Sequence, residues 1–173
     1  TPNGNQFGSS NLAMTNDNAS YLYFNKSAQS FSTQGFSGDL LGTGVINAVF
    51  NPDLSLHQFP RTFGSSFSDT YGIDVTVPGA AINPLLSQIN FKRTSVVHDT
   101  TDAWGQLTTP HGTYDVLRIH TMEVFSDSIW AQPIFPPTWN LVSTSIDTTH
   151  RYSWVGKGGK LAIAEMSFDT LGL

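Results

Sequence analysis

The chain has 173 residues, and 8 Lys and Arg against 13 Asp and Glu give it a formal charge of -5 with only 12% of residues charged. So few bases cannot neutralise a phosphate track, which excludes a basic nucleic-acid binder, and 39% apolar residues exclude a disordered chain. With no Cys, a disulfide scaffold and a Cys-ligated zinc site are excluded as well.

Ser and Thr number 19 each, 38 hydroxyl residues against 21 charges. Such surfaces are common in secreted β-proteins, so the composition points to a secreted or cell-surface protein. One domain is the natural count, and this length buries enough surface to stand without staples. The chain starts at Thr1. That reads as a removed leader or a domain cut from a longer protein. No run reaches the ~20 apolar residues of a membrane span, and no basic amphipathic helix is present, so membrane insertion is not expected.

Residues 1–20 read as a polar lead, either a linker or a loosely held first strand, ahead of a single β-sandwich domain over 21–173. Tyr21–Asn25 is an aromatic strand candidate. Gly44–Phe50 carries apolar residues on both faces, as a central strand does. Tyr71, Ile73, Val75 and Val77 alternate with Gly72, Asp74 and Thr76, which predicts a strand with one buried face. Pro78-Gly79 turns the chain. Gln88–His98 and Trp104–Thr108 read as two strands separated by a turn at His98-Asp99-Thr100-Thr101-Asp102. After Pro110-His111-Gly112, Tyr114–Phe125 is the longest strand candidate, with Leu117, Ile119 and Thr121 on its core face. Arg151–Val155 and Leu161–Phe168 close the set around the loop Gly156-Lys157-Gly158-Gly159. Eight to ten short strands predict an all-β fold, an antiparallel two-sheet sandwich or jelly roll, and the interrupted alternation also allows a flattened barrel.

Two stretches carry a family resemblance. Phe59-Pro60, Phe63-Gly64-Ser65-Ser66-Phe67-Ser68-Asp69 and then Asp102-Ala103-Trp104-Gly105 through Tyr114, Val116-Leu117-Arg118-Ile119-His120-Thr121-Met122-Glu123 resemble a β-rich domain of secreted Bacteroidota proteins. Arg151-Tyr152-Ser153-Trp154 and Leu161–Phe168 look similar to that domain's closing strands, so the likeness covers residues 40–170. Ala103 stands where the domain has Gly, and the spacer before Val116 is one residue shorter. Such domains lie upstream of a sorting domain read by the type IX secretion system. The resemblance implies export and a β-rich fold rather than a reaction. With no sorting domain after Phe168, the chain reads as an excised module.

Catalysis has little to build on, and no catalytic residue is assigned. Gly35-Phe36-Ser37-Gly38-Asp39 lacks the last Gly of a nucleophile elbow. Glu123 and Glu165 are the only Glu, and with Asp102 they define the alternative, a polysaccharide hydrolase using a carboxylate pair. On a solvated sheet face Glu123 would instead pair with Arg118 or Arg151. His98, Asp99 and Asp102 form a candidate Ca²⁺ turn, and Thr15-Asn16-Asp17-Asn18 a second. Asp and Asn in turns more often bond their own backbone. His111, His120 and His150 show no His-x-His spacing, and each reads as a neutral ring packed on a sheet.

Aromatic residues offer more. Trp104 and Trp154, in predicted strands, are expected in the core. Trp130 and Trp139 flank Pro133-Ile134-Phe135-Pro136-Pro137, an expected exposed loop. Sugar C–H faces pack on such rings and an adjacent amide binds hydroxyls, so Trp130, Trp139, Phe135 and Asn140 are the candidate ligand-binding residues. The sequence thus reads as an exported, non-enzymatic β-module. It binds a carbohydrate or a cell-surface partner, or serves as a spacer in a larger protein.

Overall fold

In the computed structural model the described residues are 3–15, 17, 19–39, 44–157 and 162–169. Most of them are strand. A 3-10 turn, Gly4–Gln6, precedes β1 (Leu12–Met14), β2 (Tyr21–Lys26), β3 (Ser30–Gly38), β4 (Ile46–Gln58) and β5 (Ser66–Pro78). Four more follow, β6 (Leu86–Thr109), β7 (Gly112–Pro133), β8 (Asn140–Gly156) and β9 (Ala164–Asp169). Among the described residues no helix is long and apolar enough to cross a membrane.

The all-β, antiparallel expectation holds at that level. The strands make one hydrogen-bonded sheet in the order β1 to β9, each beside its neighbour in the chain, rather than two sheets. Short hairpin links explain the order, since each new strand adds beside the last. The expected turn at His98–Asp102 is absent, and Leu86–Thr109 runs as a single strand. Asp is rare inside strands. Here both Asp side chains are held by arginines, Asp99 by Arg61 and Asp102 by Arg118, so the strand continues through them.

The chain divides into two compact units, 1–59 with 70–95 and 126–146, and 60–69 with 96–125 and 147–173. The first has an aromatic core. Phe7 and Tyr23 stack with ring centroids 4.0 Å apart, and both are buried. Phe50 stacks on Tyr71 at 5.2 Å beside the Phe50–Ile73 register pair of β4 and β5. Within residues 1–20, Leu12–Met14 form β1, which pairs with β2 through Ala13 and Tyr23. Tyr71 and Val77 are buried, so the period-2 reading of that strand holds.

The second unit has a more polar interior. Val97, Val116 and Ile119 are buried beside Asp99, Thr101, Thr121 and Ser153. Trp104 corrects the sequence reading: it is 73% exposed rather than in the core. It sits two residues after Asp102 on β6, on the strand face opposite buried Asp99 and Thr101. Trp154 is only partly buried.

Candidate functional site

The loops after β5 and after β7 lie side by side in the first unit. In the β5–β6 loop Asn83 Oδ1 accepts the Leu85 N–H at 2.9 Å, an Asx turn that directs the chain back into β6. In the β7–β8 loop Gln132 Nε2 donates to the Pro137 carbonyl at 3.2 Å and Asn140 Nδ2 to the Thr138 carbonyl at 2.9 Å. The two are tied together. The Ile134 N–H donates to the Leu85 carbonyl at 3.0 Å, and Ser87 Oγ donates to the Gln132 carbonyl at 3.0 Å.

What these loops present is apolar. Phe135 is 88% exposed and Leu85 72%, and Ile82, Ile134 and Trp139 are exposed as well. Neither 79–91 nor 128–146 contains a charged residue. Scattered surface apolar residues are ordinary, but adjacent large ones without charges mark a contact surface. Of the four candidates, Phe135, Trp139 and Asn140 are exposed here. Trp130 is half-buried in β7, with its Nε1 donating to Ser128 Oγ at 3.2 Å.

The candidate cation residues do not share a face. Asp99 points to the buried side of β6, while His98 is exposed and bonded through Nδ1 to Ser68 Oγ at 2.7 Å. Asp102 accepts both Nε and Nη2 of Arg118, at 2.9 and 3.1 Å. Among the described residues, no three of His, Asp and Glu converge. In the other candidate turn, Asn16 and Asn18 lie outside the described residues. Asp17 Oδ1 accepts the N–H groups of Ala19 and Ser20 at 2.9 and 2.7 Å. Of the hydrolase carboxylates, Asp102 is committed to Arg118, and Glu165 Oε1 accepts from Ser153 Oγ at 3.1 Å.

An open cavity of about 280 Å³ is lined by Met14, Tyr21, Leu22 and Phe36 together with Asp17 and Ser20. That is at the lower limit of small-molecule pockets.

Asp99 is the most buried carboxylate described, 3% exposed. Arg61 Nη2 lies 2.7 Å from its Oδ1, and Thr121 Oγ1 donates to its Oδ2 at 3.1 Å. Burial holds the Asp99 carboxyl above the ordinary 3.8, against the opposing pull of Arg61, Thr121 and Arg151. The folded chain therefore binds this proton more tightly than the unfolded chain. The contribution of Asp99 to stability is full below 3.8 and is lost as pH rises through the folded value. Denaturant midpoints of the native chain and Asp99→Asn, followed from acid to neutral pH, should show the native chain losing ground to the variant. A native chain that gains ground would contradict this.

Two of the histidines that read singly as rings packed on a sheet also meet. His120 Nε2 on β7 lies 3.0 Å from His150 Nδ1 on β8, and the rings stack at 5.3 Å. Their separation of 30 residues hides the contact, because only the β7–β8 register brings them together.

Comparison with protein-family models, with curated proteins and with solved structures finds no match to this chain.

Proposed function

We propose that this chain is an exported, non-enzymatic β-module that binds carbohydrate through the paired loops after β5 and β7. The carrying observation is the uncharged surface around Phe135, which is 88% exposed, with Trp139 and Asn140 beside it in the chain. An aromatic ring held in water gains from covering the C–H face of a sugar, and Asn140 Oδ1, which has no hydrogen-bond partner among the described residues, can accept from a hydroxyl. The hydroxyl-rich composition and the resemblance to secreted Bacteroidota domains support export.

Binding of the purified chain to a panel of polysaccharides and glycans tests the reading. Phe135→Ala and Trp139→Ala are each expected to weaken binding about tenfold or more, as loss of an aromatic anchor does. Trp130→Ala acts on the packing of β7 and is read by melting instead. No binding by the native chain to any glycan removes the sugar reading.

Ile82, Leu85 and Ile134 favour a second reading, an apolar patch on a protein partner at the cell surface. Aliphatic residues add little to sugar stacking and much to a dry protein contact. In that case Leu85→Asp abolishes binding as fully as Phe135→Ala, whereas a glycan ligand leaves Leu85→Asp the milder change.

A further inference from the structure

We propose that His120 and His150 form a two-imidazole site for a divalent transition-metal ion, with Cu²⁺ favoured over Zn²⁺. This site lies in the second unit and is independent of the loop surface above.

The geometry comes from strand pairing. β7 and β8 are neighbours, and each contributes one imidazole from its interior. The facing nitrogens, His120 Nε2 and His150 Nδ1, are 3.0 Å apart. Two imidazole nitrogens in adjacent positions of a tetragonal Cu²⁺, each about 2.0 Å from it, stand about 2.8 Å from each other, and on a tetrahedral ion such as Zn²⁺ about 3.3 Å. The pair is within a few tenths of an ångström of either bite. Each ring needs only to pivot, swinging its lone pair from the N···N line toward a common point.

The surroundings hold the rings in place. Tyr152 stacks on His120 at 4.5 Å, and Phe168 stacks on His150 at 5.5 Å from its register position on β9. Both imidazoles are half-buried, so solvent reaches them while their orientations stay restricted. A preoriented pair loses less side-chain entropy on chelation than two free rings would.

The proton balance is simple. In the neutral pair one ring donates its N–H to the other across the 3.0 Å contact. On metal binding the donor ring carries its proton on its other nitrogen, and both facing lone pairs go to the ion. No electron is transferred. Since no third His, Asp or Glu converges here among the described residues, water completes the coordination. Imidazole nitrogens without thiolates favour Cu²⁺ most strongly in the divalent series.

The test titrates the full chain with CuCl₂ and ZnCl₂ by calorimetry, and follows imidazole resonances by NMR. One ion per chain is expected, with Cu²⁺ broadening confined to His120 and His150. His120→Gln and His150→Gln should each weaken binding about tenfold or more, and the double variant little further. His111→Gln, at an exposed turn, should bind as the native chain does. Broadening centred on another histidine, or unchanged affinity in both Gln variants, overturns the proposal. So does failure to bind Cu²⁺. The NMR measurement on the native chain decides the matter even if a Gln variant fails to fold.

Discussion

Arg61→Ala is expected to destabilise the chain by about 3–5 kcal/mol, the penalty for stranding a buried carboxylate. Arg61 and Asp99 are 7% and 3% exposed, so solvent does little to screen the charge left behind. The arginine also anchors its own loop. Around it the Gly64 N–H donates to the Thr101 carbonyl at 2.9 Å and the Thr101 N–H to the Ser65 carbonyl at 2.8 Å. Its guanidinium lies 5.4 Å from the Phe67 ring centre, so the Ala variant loses packing with the charge. Amide exchange at Gly64 and Thr101 should accelerate in step with the fall in the denaturant midpoint. The interaction is not optimal in itself, because Arg61 Nε and Nη1 are buried without a hydrogen-bond partner among the described residues. Replacing both partners, Arg61→Met with Asp99→Leu, should therefore recover most of the loss. A single variant that melts with the native chain would show that the pair contributes nothing.

The same pair illustrates what a local sequence pattern leaves out. A period-2 alternation with one apolar face was visible in Tyr71–Val77, and the structure buries its two ends. β3 was invisible, because its interior positions are Ser32, Thr33, Gln34 and Ser37. Those polar groups are satisfied at long range, Gln34 Nε2 on Asp53 Oδ2 at 2.7 Å and Asn3 Nδ2 on Ser37 Oγ at 2.9 Å. No local pattern reports such partners. Asp99 and Asp102 read as turn residues for the same reason, since the arginines that make them tolerable in a strand lie on other segments. The exposed loop at 134–137 is legible because prolines and flanking aromatics act locally, although Pro133 itself ends β7. The neighbouring loop at Ile82 and Leu85 was not, although the absence of charge from both 79–91 and 128–146 is a signal that could have linked them. The His120–His150 contact depends on the register of a 22-residue strand against a 17-residue one, which no short motif encodes.

Gly35→Ala is expected to destabilise the chain by about 2–4 kcal/mol, through backbone strain and overpacking together. Gly35 sits in β3 at φ 143, where the register against β4 shifts between Thr33 and Gly35. A Cβ there would meet the Ala48 carbonyl oxygen and come within 2.8 Å of the Phe7 ring. The carbonyl belongs to the paired strand and cannot swing away as a side-chain tip can. Phe7 cannot yield cheaply either, since it is stacked on Tyr23 at 4.0 Å with an 8° tilt in the core. Melting should fall by about 5–15 °C, from the usual few degrees per kcal/mol at this size. Gly64→Ala separates the two causes. Gly64 has φ 82 with nothing within 4 Å of its Cβ position, so its variant carries the backbone strain alone, about 1 kcal/mol. If Gly35→Ala melts no lower than Gly64→Ala, the close approach of Phe7 and β4 over Gly35 is not what holds the first unit's core together.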